Sequence, residues 1–353
     1  MSGGRLQPVV GKKPKPESKR RGISGTKGTG ALNKESTPAA FVAPMLAKLV
    51  RALPEGPGWS LEVKFDGYRI EAVKNGAEVR LFSRRGNDFT QRFAKVAEAV
   101  SKIDATSAVL DGEVVAVDSS GHVSFQMLQN RSRLPPGWRL IYYAFDLLYL
   151  NGRNMTRAPL SQRRANLEKV LRGSPVKYSA PLEGSADVVI KAVRKHGMEG
   201  IVAKRNDSVY ESGDRSGAWR KLPLKPKDEF VIGGYRPEGA SLELLLVGYY
   251  EGNKLLFAGK VRQGLSPAIR ATLARGLQPI RTTTCPFSNL PNSKKGHWGE
   301  GVTADEMKHY IWLEPRVVAE VKFTEWTHGG VLRHPQFVGI REDKLPEEVR
   351  REI

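Results

Sequence analysis

The stretch best equipped for chemistry is Glu62-Val63-Lys64-Phe65-Asp66-Gly67-Tyr68-Arg69, a lysine two residues before an Asp-Gly pair and five before an arginine. Leu61, Val63 and Phe65 alternate with Glu62 and Lys64, which is the period of a half-buried strand, and Asp66-Gly67 supplies a tight turn at its end. An ordinary lysine, with pKa about 10.4, is neutral roughly once in a few thousand molecules at pH 7, a handicap of about 4–5 kcal/mol for a nucleophile. Burial and neighbouring cations lower that pKa, so Lys64 is the candidate nucleophile, with a depressed pKa expected. The octet alone also fits a plain strand whose solvent face carries Glu62 and Lys64.

The elements around it must bring further groups to this lysine. Asn75-Gly76 between two strand patterns, 69–73 and 78–82, predicts a two-residue hairpin, followed by the basic turn Ser83-Arg84-Arg85-Gly86-Asn87. Phe93, Val96, Val100 and Ile103 share one face of a helix over 90–103. The apolar run 108–117 contains Asp111 and Glu113. Carboxylates are poor strand residues, so a turn, a metal or a ligand hydroxyl is needed to explain them, unless Asp111-Gly112 is a bulge with Glu113 facing water. Residues 142–148 form another strand, and an aromatic at its centre, Phe145, fits either base stacking or a core. Helices are expected at 161–172 and at 186–196, with Ser185 as N-cap and Gly173 and Gly197 as C-terminal stops. Glu199 opens and Lys204 closes a strand, and Trp219-Arg220-Lys221 begins a dense basic run.

Beyond Asp228 the pattern changes. Strands over 230–235, 242–250, 254–262, 317–326 and 331–340, with one helix opened by Ser266-Pro267, predict a small Greek-key barrel of the oligonucleotide-binding type. The expected organisation is a disordered basic tail over 1–38, a first globular domain over 39–228, the barrel over 229–345 and a C-terminal tail over 346–353. The formal charge of +20, from 57 Lys+Arg against 37 Asp+Glu, points to a polyanionic partner, nucleic acid first. Cys285 is the only cysteine, which leaves no internal disulfide and no thiolate zinc cluster; paired with His297 alone it does not make a structural metal site. No apolar stretch has the roughly 18 residues of a membrane span and no signal core opens the chain, so a cytoplasmic, non-membrane protein is expected.

Taken in order, Lys64 to Arg69, Ser83 to Gly86, Asp111-Gly112-Glu113, Phe145-Asp146, Glu199 to Lys204, Trp219 to Lys221 and the barrel resemble the covalent nucleotidyltransferases: ATP-dependent DNA ligases, RNA ligases and mRNA capping enzymes. Phe41 to Ala47, Glu229 to Tyr235 and Leu332 to Phe337 resemble the ligase domain of the bacterial end-joining ligase D. The resemblance implies an α+β fold, with an adenylation domain of antiparallel sheets and flanking helices followed by an OB-fold barrel. It implies ATP and Mg²⁺ (or Mn²⁺) as cofactors, and nicked or broken double-stranded DNA as partner. End-joining proteins are further candidate partners of a monomer working at the bacterial nucleoid.

The resemblance also implies roles. Lys64 would carry AMP, Glu62 would accept a hydrogen bond from the adenine amino group, and Phe145 would stack on the base. Arg69 and Arg84 would hold the ribose and the nick phosphate, and Glu113 and Glu199 the ribose hydroxyl and the metal. Lys204 and Lys221 would grip the α-phosphate, and Arg333 would orient pyrophosphate when the barrel closes over the site. One departure is plain: the family carries a second lysine two residues after Lys221, and here that place is Pro223, which leaves two alternatives, compensation by Lys225 or Lys204 or a slow first step. Two rivals remain, RNA ligation or capping and a nucleic-acid-binding relative without catalysis, and self-adenylation with ATP separates the last from the others.

Overall fold

The computed structural model describes residues 39–129, 134–225, 227–291 and 301–351. The tail expected over 1–38, and His297, lie outside the described residues. The first part of the chain runs through β1 (Lys48–Leu49), β2 (Trp59–Lys64), β3 (Tyr68–Asn75), β4 (Glu78–Ser83), α1 (Ala94–Ser101), β5 (Ser107–Val117), α2 (Phe125–Gln129) and β6 (Arg139–Leu150). It continues through β7 (Arg153–Asn154), α3 (Leu160–Val170), β8 (Lys177–Tyr178), α4 (Ala186–Lys195), β9 (Gly200–Arg205) and β10 (Trp219–Pro223).

These strands make two sheets. One has four strands in the order β1-β10-β9-β2; the other has six, β4-β3-β5-β6-β7, with β8 against β6. In the first, Lys64 stands opposite Gly200 and Pro223 opposite Gly200 from the other side, while Glu62 and Lys221 both stand opposite Val202. Strand alternation therefore puts Glu62, Lys64, Lys204, Trp219 and Lys221 on one face. In the second, Arg69 is opposite Glu113 and Glu71 opposite Asp111. A register shift follows Asp111, which pairs with Asp146 while Gly112 pairs with Ala144. Phe145 is the extra residue, and a bulge of this kind re-aims a side chain. From the sequence, a bulge at Asp111-Gly112 was only the alternative; the irregularity is there, but its extra residue lies on β6.

Buried Phe93, Val96, Val100 and Ile103 pack α1 on the six-stranded sheet, as their spacing predicts. Ser185 caps α4 by accepting from Val188 N. A fully buried ion pair ties α3 to β6: Arg163 Nε and Nη2 each lie 2.8 Å from an oxygen of Asp146. Gly67 is required for close approach, since a Cβ there would sit 2.2 Å from the Val114 carbonyl oxygen.

The second part consists of β11 (Lys227–Glu238), β12 (Ser241–Glu251), β13 (Lys254–Val261), α5 (Pro267–Gly276), β14 (Arg281–Thr282), α6 (Ala304–Met307), β15 (Ile311–Lys322), β16 (Glu325–Trp326), β17 (Leu332–Arg333) and β18 (Gln336–Ile340). Its sheet runs β13-β12-β11-β15-β14, with β18 on β15. A bridge between Gln263 and Gln336, with Phe337 N donating to Gln263 O at 2.8 Å, brings β18 back to the end of β13. The result is the partly open OB-fold barrel around its own core of Phe230, Tyr235, Leu244, Leu246 and Phe257. Two expectations are corrected. The strand expected over 317–326 begins at Ile311, since Pro315 falls in the register irregularity between Ile232 and Gly234 of β11, where a proline costs no ladder bond, and it stops at Lys322. The strand expected over 331–340 is split into β17, paired with β16, and β18. Residues 346–351, expected as a tail, pack instead on the barrel: Val349 is buried, Tyr250 N donates to its carbonyl at 2.8 Å, and the Arg351 guanidinium lies 4.3 Å from the Trp326 ring centre.

Candidate active site

The facing surfaces of the two sheets, together with one end of the barrel, enclose a cleft of about 440 Å³, within the usual range of ligand sites. Glu62, Lys64, Arg69, Arg84 and Glu113 line it, and so do Phe145, Glu199, Lys204 and Lys221. The structure thus gathers residues from β2, β3, the turn after β4, β5, β6, β9 and β10 around Lys64.

The Lys64 amine is paired with the Glu199 carboxylate. Burial pushes its pKa down, but Glu199 outweighs burial and the nearby Lys227, and leaves the ammonium above its usual range. This corrects the expected depression: the nearest group to the amine is an anion, not a cation. Burial likewise pushes the Glu113 carboxyl up to about 8, against Arg341, Lys64 and Arg69. No hydrogen bond or ion pair engages Glu113 among the described residues, so a cleft-facing carboxyl stands ready for a hydroxyl or a hard cation. Its side chain is half-buried and faces the cleft. Asp66 is pushed to about 6 by burial and by Glu320 and Glu199.

The other end of the cleft is built for something flat. Lys204 Nζ donates to Glu62 Oε2 at 3.0 Å and lies 4.1 and 4.2 Å from the ring centres of Phe145 and Trp219. Ser179 Oγ donates to the same Glu62 oxygen at 3.2 Å. Glu62 Oε1, though buried, has no hydrogen-bond partner and is the acceptor left for a ligand amino group. Lys204 lies in the cleft but away from Lys64: its backbone is four residues, about 13 Å, along β9 from Gly200, the partner of Lys64, and its ammonium is engaged at the Glu62 end.

Arg69 is also occupied. Its Nε and Nη2 donate to Asp111 at 3.0 and 2.6 Å and its Nη1 to Met45 O at 2.7 Å, while Tyr210 OH donates to Asp111 at 2.7 Å. The guanidinium lies 5.5 Å from the Phe145 ring and 5.6 Å from that of Trp219, so it braces the aromatic end of the cleft instead of presenting an open fork. Asp111, fully buried, is thereby explained as its counter-ion. Arg84 reaches Glu348 at 3.1 Å, a barrel-side carboxylate where a phosphate was expected.

Arg333 does not line the cleft; it is half exposed and pairs with Glu325 across β16 and β17. The barrel instead presents Arg341, Asp343 and Lys344. Arg341 is bidentate with Asp343 at 2.9 and 2.8 Å, reaches Glu320 at 2.8 Å, and lies 4.8 Å from the Phe125 ring of the other domain. Lys344 pairs with Glu229 at 2.9 Å. Burial pushes Glu229 up, but Lys344, Arg341 and Lys221 outweigh it and hold the carboxyl below its usual range. The run Arg341-Glu342-Asp343-Lys344, charged immediately after an apolar strand, was the sequence signal for these residues. Of the lysines expected to compensate for Pro223, Lys225 donates to the Gly197 carbonyl and Lys204 is engaged with Glu62. A residue that sequence reasoning passed over, Lys227, stands near Glu199 instead.

A donor set of oxygens suits a divalent cation. Among the described residues no group of three His, Cys, Asp or Glu side chains forms a metal cage. Such a set fits a Mg²⁺ that takes one or two carboxylates and completes its shell from phosphates and water. No helix among the described residues is long and apolar enough to cross a membrane.

Comparison with known proteins agrees with this geometry. The family model of the ATP dependent DNA ligase domain matches residues 44–223, and that of the ATP dependent DNA ligase C terminal region matches 238–344. The chain is 35% identical over 340 residues to the multifunctional non-homologous end joining protein LigD of Pseudomonas aeruginosa, covering 94% of this chain and 38% of that protein. It is 38% identical over 317 residues to the LigD of Mycobacterium tuberculosis, covering 88% and 40%. The chain thus spans about two fifths of the length of these curated relatives. A structure of mycobacterial DNA ligase D complexed with ATP and MES matches with a TM-score of 0.64 at 37% identity, over 88% of this chain and 98% of that one. One family model spans the two sheets that face each other across Lys64 and the other covers the barrel from β12 onward, so the chain belongs to the ATP-dependent DNA ligase family.

Proposed function

We propose that this chain is an ATP-dependent DNA ligase that joins 5′-phosphate to 3′-hydroxyl ends through an adenylate on Lys64. The observation that carries the reading is the pairing of two ends in one cleft: an amine held by Glu199, and a buried carboxylate oxygen, Glu62 Oε1, that accepts no hydrogen bond and has the Arg164 guanidinium 3.7 Å away, at the end where Lys204 meets the Phe145 and Trp219 rings. The Lys64 amine, once it has given its proton to solvent, attacks the α-phosphorus of ATP; the N–P bond forms, the bond to the bridging oxygen breaks and pyrophosphate leaves. A 5′-phosphate oxygen then takes the adenylyl group, the P–N bond breaks and Lys64 regains a proton. The 3′-hydroxyl finally displaces AMP from that phosphate, losing its proton.

Adenine is read by Glu62 and stacked on Phe145, with Arg69 and Asp111 bracing the aromatic end. Lys221 and the barrel cations Arg341 and Lys344 counter phosphate charge as it shifts. Glu113 and Glu199 would hold Mg²⁺ (or Mn²⁺), which supplies charge neutralisation at the phosphates. Glu199 becomes open to such a role only as Lys64 leaves it. We place the domain boundary between the two family matches, near Lys227 at the start of β11, with the barrel as the movable part. The relatives' names favour end joining in DNA repair, with nicked or broken duplex as substrate, a monomeric enzyme and end-joining proteins as partners at the bacterial nucleoid.

Incubation of the full chain with ATP, Mg²⁺ and nicked duplexes bearing a 3′-deoxy or a 3′-ribo end tests this. Sealing of the deoxy nick is expected. Failure on it while the ribo nick is sealed would move the assignment to RNA ligation, and uptake of no adenylate at all would leave only nucleic-acid binding.

A further inference from the structure

Lys227 opens the first barrel strand, yet its ammonium is set in the floor of the cleft. Its Nζ lies 2.5 Å from Asp66 Oδ1, 3.0 Å from Glu320 Oε1 and 3.6 Å from Glu199 Oε1, and its side chain is only 8% exposed. The three carboxylates come from three places: the turn after β2, the residue before β9, and β15 of the barrel. The oxygen of Glu199 that Lys227 approaches is the one that holds Lys64. Asp66 belongs to the turn that fixes the end of the nucleophile's strand. A lysine that only fastened the barrel would be satisfied by Glu320, which lies on β15 two residues from Lys322, the ladder partner of Lys227. Lys227 instead reaches beyond the barrel to both groups that set the Lys64 amine.

Glu199 holds the Lys64 amine and the Asp66 turn ends the strand that carries it, so both must stay fixed if the amine is to meet the α-phosphorus in line. We infer that Lys227 is a positioning residue for the adenylation of Lys64: it ties the Asp66 turn and the Glu199 carboxylate to each other and to Glu320 of the barrel. The inference rests on the ligase reading above and adds to it a barrel-borne residue that acts in one step of three. Sealing of a DNA that already carries the adenylate does not use Lys64 as nucleophile, so it should not need Lys227.

The test uses the full chain as wild type, Lys227→Met and Lys227→Arg. Lysine adenylation is followed in single turnover over a range of ATP concentrations, and each protein is also given pre-adenylated nicked duplex. The expected result for Lys227→Met is a maximal adenylation rate at least thirtyfold lower, with half-saturating ATP within threefold of wild type. Lys227→Arg should stay within fivefold of wild type. Sealing of pre-adenylated DNA should change less than threefold in both variants, which also shows that they are folded. Adenylation of Lys227→Met within threefold of wild type overturns the inference, as does an equal loss of both reactions or an arginine variant as poor as the methionine one. A rise in half-saturating ATP at unchanged maximal rate also overturns it, by making Lys227 a nucleotide-binding group. A wild-type protein that takes up no adenylate sinks the ligase reading itself, whereas a normal wild type with a normal Lys227→Met sinks only the role given to Lys227.

Discussion

Asp111→Ala removes the carboxylate that holds Arg69 and leaves a guanidinium among Phe145, Trp219 and Tyr210 with its main counter-charge gone. Asp111 is fully buried and accepts from Arg69 at 3.0 and 2.6 Å and from Tyr210 OH at 2.7 Å. Breaking a buried pair by deleting one partner costs about 3–5 kcal/mol, most of it the penalty of the stranded charge. At about 2–4 °C per kcal/mol for a domain of this size, the thermal midpoint should fall by about 6–20 °C. Deleting both charges, as Asp111→Ala with Arg69→Met, should recover much of that loss, because an apolar replacement of the whole pair is close to neutral. A double-mutant cycle should then give a coupling of at least about 2 kcal/mol. The assay is thermal unfolding by circular dichroism on four proteins, with half-saturating ATP for self-adenylation alongside. The latter should rise in the single variant, since the brace under the aromatic end is gone. A single variant that loses under about 1 kcal/mol, or a double variant that loses the sum of the two singles, would refute the account of Arg69 as an occupied brace.

Three further outcomes follow from named contacts. Burial pushes the Glu71 carboxyl up to about 9, with Val42 N donating to it at 2.6 Å; a raised folded-state pKa stabilises fully below the unfolded value of about 4.5 and loses that contribution as pH climbs to about 9. Glu71→Gln should therefore gain thermal midpoint over wild type increasingly from pH 6 to pH 9, and a gain that does not change with pH would contradict the shift. Glu62→Gln should cut the preference for ATP over GTP in self-adenylation at least tenfold, because the acceptor facing the base is weakened and Lys204 loses its anion; an unchanged preference would detach Glu62 from the base. Gly67→Ala, whose Cβ would meet the Val114 carbonyl at 2.2 Å, should slow adenylation at least tenfold without loss of circular dichroism signal, and a normal rate would show that the turn is free to shift.

Much of this site was legible because its parts are local. A strand period ending in Asp66-Gly67, acids inside an apolar run, and a lysine closing a strand are patterns that a few neighbouring residues decide, and each of them reached the cleft. What escaped depends on which surfaces dock. Nothing near Arg333 tells that its hairpin turns outward to Glu325, or that Arg341, eight residues on, stacks on Phe125 of the other domain. Lys204 was expected at the α-phosphate, but the β2–β9 register puts it opposite Ser60, four residues from the partner of Lys64, with its ammonium on Glu62. Lys227 lay in a run of lysines and prolines with no pattern of its own, and only the meeting of β11 with the turn after β2 gives it meaning. The depressed pKa expected for Lys64 failed for a related reason: burial was foreseen, but not that Glu199, distant in sequence, would be its nearest neighbour.

The most direct measurement is to incubate the full chain with ATP and Mg²⁺, digest it, and locate the added mass by peptide sequencing in a mass spectrometer. The account predicts one AMP, in acid-labile phosphoramidate linkage, on Lys64 and none in Lys64→Ala. An adduct on another residue, or an equal adduct in Lys64→Ala, would contradict it.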